Sequence, residues 1–300
     1  MEFMSTHRQY RNVIGESPIA DSTYIYWVDA ECCQIFRLNI FTQETVRYNV
    51  EIPVTAIAFT DVGSFILASK QGIYLTDATF QALVFICDPC KEEPDIRIND
   101  AVVSPNGDLW FGTMNDVVLD KPDGCIYILK GKAGDVIKFD SGFSVANGIT
   151  FSPDGLKAYI TNMFRGEIVE YILADDDVHF SSKRVFLTLD IDEGRPDGLS
   201  MDRQGNLYVC HWNGNRVSVY DPSGACIDRI ILPATHVTRC TFYGPSLSQL
   251  VVTTGSYQCD ETSLSEFPDS GYVFLLDTDQ QGIADQHYKM SSFMYQMLKA

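Results

Sequence analysis

The 300-residue chain has no apolar run near the roughly 18–20 residues that a membrane-spanning helix needs, and its N-terminus, MEFMSTHRQYRN, has no apolar signal core. Both absences point to a cytosolic protein that works away from membranes. Basic residues are scarce: 22 Lys and Arg against 40 Asp and Glu leave a formal charge of −18, which repels nucleic acid and anionic lipid and leaves small cations as natural partners. Helical periodicity is almost missing between the strand-like segments. The nine cysteines are an odd number and include an adjacent pair, Cys32-Cys33, which argues against a secreted disulfide framework. Cys125, Cys210 and Cys240 fall at strand-like positions and read as buried thiols. No Ser/His/Asp or Cys/His set has a recognisable nucleophile context.

What the chain does have is a repeat. NDAVVSPNGDLWFGT from Asn99, NGITFSPDGLKAYIT from Asn147 and DGLSMDRQGNLYVCH from Asp197 each place a Gly eight residues after the opening residue. The turns SPNG, SPDG and DRQG separate an alternating strand from an aromatic-rich one, as in a hairpin whose Gly takes a positive φ. Weaker copies open at Thr55 and Thr238, and a looser one without the Gly opens at Glu16. Each copy continues into a further strand, such as GIYLTD, NRVSVYD or GYVFLLD. Openings at 16, 55, 99, 147, 197 and 238 predict one all-β domain over residues 1–300, a six-bladed β-propeller. A large β-sandwich or two small β domains would not explain the fixed offset. The tail from about 285 to 300 lies outside the repeat, to pack on a blade edge or fray.

In a propeller the innermost strands run the same way along the central channel, so the six opening residues gather at one mouth. Glu16, Asn99, Asn147 and Asp197 would bring carboxylate and amide oxygens together there. At any one position, an Asx before Gly could simply shape a loop. Neighbouring carboxylates repel one another and call for a bound cation or a shared proton. An all-oxygen donor set favours Ca²⁺, Mg²⁺ or Mn²⁺, with Zn²⁺ less suited. Elsewhere, His211 and Trp212 could wall the pocket, Met114 and Met163 read as packing, and the acidic run at 175–177 reads as a solvated loop.

GESPI around Glu16, RIND at 97–100, GTM at 112–114, ANGITFSPDG around Asn147, PDGLSMDRQGNLYV around Asp197 and RCTFYG at 239–244 together resemble the regucalcin/gluconolactonase, or senescence-marker-protein, family. The resemblance implies one catalytic divalent metal on Glu16, Asn147 and Asp197, and hydrolysis of sugar-acid lactones with Arg97 and Asn99 on the substrate. Asp197 would also be the candidate general base. The chain departs from that pattern at Ile19-Ala20, where the family often has an aromatic residue, and at Val117, where regucalcin-like members have an acid. Two other readings use the same residues: a phosphotriesterase-like hydrolase, as in diisopropylfluorophosphatase-like propellers, and a non-catalytic calcium-binding propeller. The expected partner is a small lactone, and the expected assembly is a monomer or weak homo-oligomer.

Overall fold

The structure, a computed structural model, describes residues 3–174 and 178–299. The acidic run at 175–177 lies outside the described residues. After β1 (Phe3–His7), β2 (Gly15–Ala20), β3 (Tyr24–Asp29), β4 (Gln34–Asn39) and β5 (Thr45–Asn49) form the first antiparallel sheet. The second comprises β6 (Val54–Phe59), β7 (Phe65–Ser69), β8 (Gly72–Thr76) and β9 (Leu83–Cys87). The third comprises β10 (Ile96–Val103), β11 (Leu109–Asn115), β12 (Gly124–Leu129) and β13 (Val136–Phe143). The fourth comprises β14 (Ala146–Phe151), β15 (Lys157–Asn162), β16 (Glu167–Leu173) and β17 (Phe180–Thr188). The fifth comprises β18 (Arg195–Met201), β19 (Leu207–Trp212), β20 (Arg216–Tyr220) and β21 (Cys226–Ile231). The sixth holds β22 (His236–Tyr243), β23 (Gln249–Gly255) and β24 (Val273–Asp277), and takes β1 as its outer strand. The fold is the six-bladed β-propeller that the repeat predicts, and pairing of β1 with β24 joins the two ends of the chain in one blade.

Each predicted opening residue lies at or near the start of an innermost strand. The turn glycines Gly63, Gly107, Gly155 and Gly205 have φ of +77, +84, +73 and +83°, as the hairpin requires. The first blade lacks the Gly and uses an Asx turn instead, with Asp21 Oδ1 accepting from the amides of Thr23 and Tyr24 at 2.7 Å each. The core lies between blades. Ile66 and Leu75 of the second blade cluster with Leu109 and Phe111 of the third, and Trp27 stacks on Phe36 at 5.1 Å beside Val251 of the sixth. Truncating a fully buried ring such as Trp27 to Ala costs about 3–5 kcal/mol.

The C-terminal tail neither frays nor sits on a blade edge. The Gly282 amide donates to Leu247 O at 2.8 Å, Tyr288 N to Phe59 O at 2.8 Å and Lys289 N to Gly107 O at 2.9 Å. Residues 282–289 therefore cross one end of the channel, with the Tyr288 ring fully buried, before the helix α2; two short helices follow β23, α1 (Glu261–Glu266) and α2 (Ser292–Lys299). Cys87-Asp88-Pro89-Cys90 has C-x-x-C spacing; both thiols are free, and burial together with the charge of Asp88 pushes each up to about 12. Among the described residues no helix is long and apolar enough to cross a membrane.

Candidate active site

All six innermost strands break register near the opening residue: between Glu16 and Ile19, Val54 and Ala56, Ile98 and Asp100, Asn147 and Ile149, Pro196 and Leu199, and Val237 and Arg239. A bulge re-aims the side chain at the break and ends regular pairing, which is how an otherwise buried strand presents a polar group to the channel. The glycines that follow two of these residues serve close approach. A Cβ on Gly148 would lie 2.2 Å from Asp197 O, and one on Gly198 would lie 2.6 Å from Thr238 O and from Arg239 Cβ. The Asx-Gly pairs at 147–148 and 197–198 therefore lie within strands at the axis and shape no loop.

Glu16, Asn99, Asn147, Asp197 and Arg97 all line one cavity of ≈ 640 Å³ at this mouth. Asp197 is 2% exposed and accepts a hydrogen bond from Asn147 Nδ2. Asn147 Oδ1 accepts from its neighbour Gly148 N at 2.9 Å. Half-buried Glu16 accepts from Ser17 N at 2.9 Å. Just beneath, Asp100 and Arg239 form a buried ion pair, and Asp100 Oδ2 has no hydrogen-bond partner among the described residues. Burial, then the negative charge of Asp100, pushes the Glu16 carboxyl up to about 8, with Arg239 and Ser17 N–H opposing. Burial, then the charges of Glu16 and Asp100, pushes Asp197 well above the usual carboxylate range.

Three buried acids, Glu16, Asp100 and Asp197, share Arg239 here, so this cluster carries more negative charge than its immediate neighbours offset. A divalent cation fits that deficit. Glu16 and Asp197 would supply oxygens to it, and the Asn147 amide oxygen, which now accepts from Gly148 N, would be the third; a hard ion suits such a set. Among the described residues no three His, Cys, Asp or Glu side chains converge to hold an ion by themselves.

Arg97 donates from Nε to Asp116 at 2.6 Å and from Nη1 to Asn99 Oδ1 at 3.0 Å, leaving Nη2 without an acceptor among the described residues. Asp116, beside the departure at Val117, thus restores an acid to this edge of the pocket, while Val117 stands 70% exposed at the rim. Trp212 lines the cavity and stacks on His236 with ring centroids 4.0 Å apart. His211 lies outside the cavity lining, buried, with Nδ1 3.4 Å from Gly194 O. Met114 and Met163 pack together with Val145, as read from the sequence, and all three line the cavity. Arg239, Asp100, Asp116 and Arg195 carry no repeat signal; RCTFYG, which contains Arg239, and RIND, which contains Asp100, marked two of them in advance.

The sequence matches the family described as SMP-30/Gluconolactonase/LRE-like region over residues 14–256. Regucalcin of Danio rerio is 29% identical over 271 residues, covering 88% of this chain and 90% of that protein. The provisionally named sugar lactone lactonase YvrE of Bacillus subtilis (strain 168) is 30% identical over 278 residues, covering 91% and 94%. Among solved structures, regucalcin from Agrobacterium tumefaciens str. C58, described as a calcium-binding protein, superposes with a TM-score of 0.89 at 25% identity over 96% of this chain and 98% of that one. The chain belongs to the SMP-30/gluconolactonase/LRE-like family.

Proposed function

We propose that this protein is a divalent-metal-dependent hydrolase that opens sugar-acid lactones. The observation that carries the reading is the convergence of Glu16, Asn147 and Asp197 on one cavity, with the two carboxylates buried beside Asp100 and only Arg239 opposing their charge. Lactone as the substrate class is supported by the name of YvrE. Of the expected ions, Ca²⁺ matches the donor set best, with Mg²⁺, Mn²⁺ and Zn²⁺ as the others to test.

Hydrolysis places a water hydroxyl on the acyl carbon, breaks the ring C–O bond and delivers a proton to the ring oxygen. A bound divalent cation would supply the Lewis acid that draws electrons from the carbonyl. Asp197 has a second carboxylate oxygen to accept the proton of the attacking water and return it to the ring oxygen. Arg97, through Nη2, and Asn99 hold substrate hydroxyls, with Asp116 fixing the guanidinium plane. The small substrate and the ring-closed sheets suit a monomer or weak homo-oligomer.

The test is a panel of five- and six-carbon aldonolactones assayed after chelation and after adding each ion back, corrected for spontaneous opening. Turnover lost on chelation and restored by at least one ion is expected. Full turnover by metal-free protein, or no lactone opened under any condition, contradicts the reading.

A further inference from the structure

The ≈ 640 Å³ cavity is lined by three Lys or Arg side chains, Lys70, Arg97 and Arg195. Two have acidic partners. Lys70 pairs with Glu31 at 2.8 Å, and Arg97 pairs with Asp116 at 2.6 Å. Arg195 has neither an acid nor any other hydrogen-bond acceptor among the described residues, and its Nε is shielded from solvent without a partner. Its guanidinium carbon stands 4.8 Å from the centroid of the Phe164 ring. An aromatic face steadies the guanidinium plane but accepts none of the in-plane N–H bonds, so the fork is held flat with its donors unused.

Scarcity of acids does not explain this, because the chain carries 40 of them against 22 basic residues. The nearest in sequence are committed elsewhere. Glu193 is engaged by Arg216, which donates to its carboxylate at 3.4 Å and to its carbonyl at 2.8 Å. Asp197 accepts from Asn147. A partly buried cation left unpaired costs stability. A fixed, planar, unpaired fork lining a substrate cavity is the arrangement that recognises a carboxylate or phosphate through two parallel N–H bonds.

Resting on the lactonase reading, we propose that the substrate carries an anionic group remote from its lactone carbonyl, and that Arg195 binds it. Arg195 and Asp197 are two residues apart at the start of β18, at most roughly 6–7 Å along the strand, with the register break after Pro196 turning Asp197 toward the axis. That separation is of the order of a six-carbon lactone's length, from a reacting carbon at Asp197 to an anion at its far carbon. The stacked Trp212 and His236 rings lie on the same wall, where Trp212 pairs with Arg195 across the β18–β19 ladder, and offer an apolar face to the sugar carbons. A carboxylate and a phosphate monoester share the required chemistry, so the experiment separates them.

Three six-carbon lactones that differ only at C6 are compared: hydroxymethyl, carboxylate and phosphate monoester. Two readouts are taken on the full-length protein with added divalent ion and on Arg195→Gln. The first is calorimetric affinity for the three ring-opened acids, which needs no turnover; the second is kcat/KM for the three lactones. In the wild type, at least one C6 anion should exceed the hydroxymethyl compound by about 10–100-fold, the range of a charge-assisted hydrogen bond, and Arg195→Gln should bring that ratio toward 1. Preference for the carboxylate or for the phosphate identifies the source. Arg195→Lys should retain part of the preference, having charge without the fork. Equal affinity for all three acids, or a ratio unmoved in a folded Arg195→Gln protein, overturns the proposal. If no lactone is opened, the lactonase reading fails by itself, and the affinity ratio still decides the role of Arg195.

Discussion

The two ends of the channel bury carboxylates in opposite ways. At the end crossed by residues 282–289, Asp285 accepts from Ala20 N at 2.8 Å and from Thr241 Oγ1 at 3.2 Å, between an inner cavity of ≈ 150 Å³ and an outer one of ≈ 470 Å³. At the other end, Glu16 and Asp197 have between them one backbone amide and one side-chain amide, and they face ≈ 640 Å³. Both ends adjoin the buried Arg239, whose charge opposes the burial of all three acids. The difference lies in what else each carboxylate meets: donors from the fold at the closed end, and space with a second acid at the open end. A buried acid whose hydrogen bonds come from the fold is part of the structure, whereas one left short of donors in a cavity is a candidate for ligand binding.

The same isosteric change should therefore have opposite consequences at the two ends. Asp197→Asn removes a charge from the proposed ligand set and the proposed base, and should lower lactone kcat by at least ~10²-fold. Near-normal turnover would erase the distinction between the ends. Asp285→Asn should keep turnover and change only the pH dependence of stability. Burial, opposed by Ala20 N–H and Arg239, pushes Asp285 up to about 6, above its ordinary 3.8. A folded-state value raised in this way means that the native protein binds the proton more tightly than the unfolded chain. Stability gains from this group as pH falls through about 6 toward 3.8, by at most about 3 kcal/mol, and loses that gain as pH rises again. Denaturant melts of wild type and Asp285→Asn should differ by that curve; parallel profiles would show that Asp285 titrates as an ordinary exposed acid.

A smaller effect sharpens the picture within the open end. Asp116→Ala frees Arg97 from its fixed plane and should lower kcat/KM for the most hydroxylated lactones by about 10-fold, one good hydrogen bond's worth. An unchanged substrate profile would assign the Arg97–Asp116 pair to the surface alone, since the Asp116 side chain is 44% exposed.

Much of this was legible because it repeats. A Gly at a fixed offset marks each hairpin, and the opening residues inherit their place at the mouth from the propeller's own symmetry. Glu16, Arg97, Asn99, Asn147 and Asp197 share a cavity as the repeat and the family resemblance imply. Features that depend on a single contact were not legible. Nothing in FMSTH says that β1 pairs with β24. Loop geometry, which sequence does not display, decides that Asp116 and not residue 117 meets Arg97. The tail has no repeat to place it, and its anchors are backbone groups on the second, third and sixth blades. The bulges at the six openings are backbone events, and only the glycines at 148 and 198 leave a trace of them in the sequence.

On the proposed function, the open end takes a cation and the closed end does not. Calorimetric titration of chelator-treated protein with Ca²⁺, repeated with Mg²⁺, Mn²⁺ and Zn²⁺, tests it without recourse to any substrate. One ion should bind per chain in the wild type and in Asp285→Asn, and binding should be lost or weakened by at least ~10²-fold in Asp197→Asn, where a charged ligand is gone. No binding of any of the four ions by the wild type, or equal binding by Asp197→Asn, would contradict the account.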